Sequence, residues 1–168
     1  MAARDIRKNH NIFVDGRGYA GQSDELNAPK LTLKTEEFRA GGMDLPIDVT
    51  MGMEKLVADF SLKSYDRNVI ALFGVKEGAL VPFVAREVLE SFDGTVTPVV
   101  HTMRGKILEL DPGTSKAGEM PSLKVSMSLA YYKLEHGNKV VHEIDAENMV
   151  YVIDGVDVRA AFRNALGI

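Results

Sequence analysis

The most constraining stretch of this chain is residues 123–132, where Leu123, Val125, Met127, Leu129 and Tyr131 alternate with Lys124, Ser126, Ser128, Ala130 and Tyr132. Successive side chains on a strand point to opposite faces, so a period of two marks a half-buried antiparallel strand. Its core face is expected to carry Leu123 through Tyr131. His136-Gly137-Asn138 follows as turn chemistry, and residues 139–144 (KVVHEI) resume an extended pattern, which together read as a hairpin. An isolated hairpin is marginal in water, so the remaining chain has to supply further strands to cover it.

Those strands are legible with less contrast. Residues 11–16 (NIFVDG) read as a short strand closed by an Asp-Gly turn. Residues 31–39 (LTLKTEEFR) alternate imperfectly and carry a polar outer part, broken by Gly41 and Gly42 and followed by a loop with Pro46. Strands are expected again at 47–51 and 55–63, the latter with Leu56, Ala58, Phe60 and Leu62 on one face. Residues 80–90 and 96–110 are two further strands, the second ending at Asp111-Pro112-Gly113, where proline and glycine suit a turn. Residues 114–121 (TSKAGEMP) read as a mobile polar loop. Two helices interrupt the pattern. Residues 66–74 carry Asp66 as N-cap, Val69, Ile70 and Phe73 at helical spacing, and Gly74 as stop. Residues 156–166 read as a closing helix with the apolar stripe Val158, Ala161, Phe162 and Ala165. The expected fold is mainly β, a sandwich or barrel with one internal and one C-terminal helix, in a single domain over 1–168.

Chemistry is harder to find. His10, His101, His136 and His142 are scattered, and none has an i, i+4 partner or an HExxH frame, so no metal site is expected. Asp15-Gly16-Arg17-Gly18 lacks the third glycine and following helix of a dinucleotide fingerprint. There is no phosphate-binding GxxxxGK[ST] loop and no GxSxG elbow. Glu36–Glu37 and Glu143–Asp145 pair carboxylates, which suits acid–base work, but no aromatic platform accompanies them and a solvated strand face is the simpler reading. Tyr131 and Tyr132 are adjacent on a strand and so cannot form one stacking platform; one ring belongs to the core and the other to a surface. Met43, Met51 and Met53 fall within one short span and suit either core packing or an adaptable partner surface. No catalytic residue and no cofactor is expected. The chain has no cysteine, which removes disulfides and thiolate metal sites. Its net charge of −4 argues against a domain that grips nucleic acid. No apolar run approaches the length of a membrane helix, and Met1 to His10 lacks a signal core, so no membrane anchor and cytoplasmic assembly are expected.

Several blocks together resemble the tube proteins of contractile tails, typified by those of P2-like phages and R-type bacteriocins. They are NIFVDG at 11–16, PKLTLKTEEFRAGGMD at 29–44, MGMEKL at 51–56, TMRGKILELDPGTSKAGE at 102–119, YYKLEHGNKVVHEIDAENMVYVIDGVD at 131–157 and RNALGI at 163–168. They span nearly the whole chain in the family's order; residues 57–98 match least. The resemblance implies a structural subunit that forms hexameric rings, each copy lending four strands to one inner barrel. It also implies a contractile sheath outside, a baseplate hub and a tail terminator at the ends, and a tape measure protein in the lumen. A phage tube conducts DNA without specific binding; a bacteriocin tube breaches an envelope. The alternatives are a ring-forming type VI secretion tube protein and a small-ligand-binding β-barrel. About 24 strands at about 4.8 Å spacing and about 40° tilt give a backbone diameter of roughly 48 Å and a lumen of about 40 Å, wide enough for a DNA duplex.

Contacts between copies are expected from two segments. The first is an arm of Lys30, Leu31, Lys34, Glu36, Glu37, Phe38 and Arg39, with Gly41, Gly42 and Met43 at its turn. Its polar outer residues do not sustain a core of their own. The second is the loop with Pro112, Gly113 and Lys116. The lumen wall is expected to be net negative, because a basic wall would hold phosphates.

Overall fold

The structure is a computed structural model that describes residues 2–168. Strand β1 (Ile6–Val14) turns at Asp15-Gly16 into β2 (Arg17–Gly18), and β3 (Ser23–Asn27) follows. Strands β4 (Leu33–Phe38) and β5 (Ile47–Met53) form a hairpin, and β6 (Val57–Leu62) returns to the body. After the short helix α1 (Arg67–Ile70) come the long meander strands β7 (Val81–Glu90), β8 (Val96–Asp111), β9 (Leu123–His136) and β10 (Lys139–Asp145). The chain ends in β11 (Val150–Ile153), β12 (Val156–Asp157) and α2 (Ala160–Leu166). The mainly β reading with one internal and one C-terminal helix holds.

All ladders are antiparallel, and the main path runs β12-β11-β10-β9-β8-β7-β1-β2. Strand β9 shares one edge between two neighbours. Leu123–Ser128 pair with β6, which in turn pairs with β3, while Tyr131–His136 pair with β10. The β3–β6 pair thereby folds over β1 and β7, and Phe60 of β6 stacks on Phe83 of β7 with ring centroids 4.8 Å apart. Ile12, Met103, Ile107, Val125 and Met127 fill the space around them and are fully buried. Each such side chain contributes about 1.5–3 kcal/mol by leaving water.

The face read from 123–132 switches part-way. Leu123 through Leu129 point inward as expected, but Tyr132, 2% exposed, is the core residue and Tyr131 is only half-buried. A β-bulge is the cause. Tyr131 pairs with Arg104 and Leu129 with Gly105, so Ala130 is an extra residue and the alternation inverts beyond it. The strands approach so closely there that a Cβ on Gly105 would lie 2.3 Å from the Ser128 carbonyl oxygen. The β9–β10 turn is as expected: Gly137 and Asn138 both take positive φ (55° and 72°), which matches a two-residue hairpin turn.

Two helix readings need correction. Asp66 does cap α1, its Oδ1 accepting from the backbone N–H groups of Asn68 (2.8 Å) and Val69 (3.1 Å). The helix stops at Ile70, however; residues 71–74 are a turn, in which Leu72 packs against the core beside Val69 and Ile70 while Phe73 faces solvent. The C-terminal helix begins at Ala160, since Val156–Asp157 pair as a strand with β11. Its expected stripe exists, but none of its residues is buried.

Candidate assembly surface

The β4–β5 hairpin is a two-stranded sheet of its own, hydrogen-bonded to neither the main path nor its branch. Every residue of β4 is exposed, as are Ile47 to Met51 of β5. A turn at its tip is closed by Met43: its N–H donates to the Ala40 carbonyl (3.1 Å) and its carbonyl accepts from Arg39 Nε (3.3 Å). At the base, the Glu54 N–H donates to the Thr32 carbonyl at 2.9 Å.

The register gives this ribbon two unlike faces. Thr35 lies opposite Thr50 and Glu37 opposite Asp48, so one face is hydroxylated and acidic. Glu36 lies opposite Val49 and Phe38 opposite Ile47, so the other face is mainly apolar, extended by Met51. Phe38 and Ile47 are 52% and 54% exposed. Directly opposed carboxylates destabilise a strand pair by about 0.2–1 kcal/mol, and a bare two-stranded ribbon is marginal on its own. The ribbon therefore has the composition of an element completed by something outside the chain.

Of the residues expected at contacts between copies, Lys34, Glu36, Glu37 and Phe38 lie on β4. Arg39, Gly41, Gly42 and Met43 form the turn, and Lys30 and Leu31 lead into the ribbon. Pro112, Gly113 and Lys116 lie in the exposed β8–β9 loop. Its neck is held by Asp111, whose Oδ1 accepts from the Gly113 N–H at 2.9 Å. The structure does not bring the two groups together. The ribbon joins the body at the start of β6, whereas the loop packs beside Lys63–Tyr65 just past its end, about 20 Å away by strand rise.

The main ladder path ends at β12 and β2 instead of closing on itself. Its interior is filled by the core side chains.

One polar cluster escaped the sequence reading. His101 is buried on β8, with Nε2 2.8 Å from Glu87 Oε2 and Nδ1 2.9 Å from the Tyr132 hydroxyl. With Glu87 ionised, Nε2–H donates to it, and Nδ1 shares a hydrogen bond with the Tyr132 hydroxyl. The hydrogen bond from His101 holds the Glu87 carboxyl below its ordinary range, against the opposing effect of burial. Burial pushes the Tyr132 phenol far up. Only knowledge of the bulge would have turned Tyr132 toward His101.

Residues 4–167 match the phage tail tube protein FII family. The chain belongs to that family. It is 32% identical to the tail tube protein of Escherichia phage P2 over 172 aligned positions, covering all of both chains. It is 31% identical to the major tail tube protein of Serratia phage KSP20 over 152 positions, covering 86% of this chain and 84% of the relative. As a tail tube family member the chain is a structural protein and not an enzyme. Its fold is shared with a chain in the extended-state sheath–tube complex of the extracellular contractile injection system PVC, with a TM-score of 0.57 at 7% identity, covering 76% of this chain and 88% of that one.

Proposed function

We propose that this tail tube protein builds the inner tube of a contractile tail as stacked hexameric rings, in which strand pairing continues from copy to copy. The observation that carries the ring reading is the open ladder together with the unpartnered β4–β5 ribbon. A monomeric protein blunts such edges; a subunit uses them to pair with neighbours. The Glu37–Asp48 face of the ribbon suits an aqueous, net negative lumen, past which a DNA duplex slides without being held. The ribbon and the Pro112–Pro121 loop, at opposite ends of β6, are the contacts between copies and between rings.

The shared fold of a sheath–tube complex supports a sheath outside the tube. The remaining partners follow from the tube role: a baseplate hub and a tail terminator at the ends, and a tape measure protein inside. Assembly takes place in the bacterial host cytoplasm, and the product is a virion tail or a bacteriocin particle.

The test is deletion of residues 36–42. The purified variant is expected to keep its β circular-dichroism spectrum and cooperative melt but to elute as a monomer, with no tubes by negative-stain electron microscopy. Tubes of parental length and yield from this variant would refute the proposed contact.

A further inference from the structure

The C-terminal helix is mounted inside-out. Its Arg163 side chain holds it to the body, donating to the Met149 carbonyl at 3.0 Å and pairing with Asp157. The apolar stripe is left outside: Phe162 and Leu166 are 56% and 61% exposed, and Val158 and Val156 beside them are also exposed. A helix with an apolar stripe ordinarily turns that stripe to a core. The ribbon repeats the anomaly, with Phe38, Leu45, Ile47, Val49 and Met51 exposed together. At roughly 150 Å² per large side chain, that group alone leaves about 400 Å² of apolar surface in water, the size of the largest apolar patch on a typical monomer and often a functional one.

We infer that the apolar face of the ribbon docks on the Val158–Phe162–Leu166 patch of a neighbouring copy, with Glu36 of one copy facing Arg159 of the next. The inference rests on the ring reading proposed above and assigns the surfaces that join its copies. Three observations select a second copy as the occupant. The first is that the ribbon does not cover its own patch: its base, Gly52–Leu56, lines a cleft with Arg159, yet the apolar residues of both surfaces remain exposed in the chain itself.

The second is charge. Glu37 and Asp48 lie on the opposite face of the ribbon and Lys34 shares the docking face with Glu36, so the complementary charge is local to Glu36. Residues 156–168 carry Arg159 and Arg163 against Asp157, net +1. Glu36 sits on the apolar ribbon face and Arg159 lies over the Phe162 ring, 4.8 Å from its centroid. Neither forms an ion pair within the chain among the described residues. The third is extent. The ribbon's apolar area is about half of the roughly 800 Å² that each partner buries in a standard interface, leaving room for the polar rim such an interface needs.

The test is photo-cross-linking in assembled tubes. Val49→p-benzoylphenylalanine chain is mixed with isotopically heavy parental chain, assembled, irradiated and mapped by mass spectrometry. Light–heavy cross-links to the peptide containing Phe162 and Leu166 are expected. Normal tubes whose cross-links fall outside residues 149–168, or only within one copy, overturn the inference and leave the tube reading standing. A parental chain that stays monomeric at high concentration overturns both. A charge exchange gives an independent readout: Glu36→Arg and Arg159→Glu each lower tube yield, and the double variant restores it. Absence of rescue, with each variant's monomer melt unchanged, counts against the Glu36–Arg159 pairing.

Discussion

Gly105 is the position where one added methyl group should do most harm. Gly105→Ala places a Cβ 2.3 Å from the Ser128 carbonyl oxygen and 3.0 Å from both Cα and Cδ2 of Leu129. The first of these is a backbone atom of a paired central strand, so no side-chain rotation relieves it. The β8–β9 pair must separate by about 1 Å at the bulge. Overpacking of this kind costs about 1–3 kcal/mol, and each ladder hydrogen bond weakened beside it about 1 kcal/mol more. The expected loss is about 3 kcal/mol, and for a chain of this size that lowers Tm by roughly 10 °C. Gly41→Ala is the control, because a Cβ there meets nothing within 4 Å and the backbone φ is not left-handed. Both melts are followed by circular dichroism at a concentration where the chain is unassembled. A Gly105→Ala melt within about 2 °C of the parent, which corresponds to at most about 1 kcal/mol, would show that the strands are not so tightly apposed.

His101→Ala removes a buried ring and strands both Glu87 and Tyr132; it is expected to cost about 2–4 kcal/mol in urea denaturation, while an exposed histidine such as His136→Ala changes the midpoint little. Equal midpoints for the two variants would contradict the network. The chain has five tyrosines, and three are held above the ordinary phenol value near 10. Burial, then hydrogen bonds to Asp66 and Glu143, raise Tyr19 and Tyr131 to about 12, and burial raises Tyr132 further. The folded state therefore favours their neutral forms, so this stabilisation is complete below about pH 10 and is lost as pH rises through the folded values. Ultraviolet titration at about pH 11 should show these three phenols still protonated in native protein and all five ionised in denaturant; ionisation of all five in the native state at that pH would contradict their environments.

Local signals carried most of the fold. The Gly137–Asn138 turn, the Asp66 cap and the alternation of Leu56 to Leu62 each depend on a few consecutive residues, and each appears where the sequence places it. The misreadings share another cause. The bulge at Ala130 comes from how β8 meets β9, and no property of residues 123–132 alone announces it, so Tyr131 and Tyr132 exchange faces. The apolar spacing of Ala161, Phe162 and Ala165 on α2 is legible in the sequence, but which side of a helix meets the body depends on Arg163 finding Asp157 and the Met149 carbonyl. His101, Glu87 and Tyr132 come from three strands, and their meeting depends on register. In the ribbon, the polar composition of 33–38 signalled an element outside the core, whereas its division into an acidic and an apolar face needed the pairing with β5.

A sheet that ends in free edges has a kinetic consequence for the proposed tube. Two solitary copies that meet gain a single seam, and each keeps its other edge in water. A copy landing on a finished ring is met from several sides at once. Starting a tube is then slow and lengthening one is fast, so a preformed platform decides how many tubes a cell makes. Copies held in reserve can remain dispersed until such a platform exists.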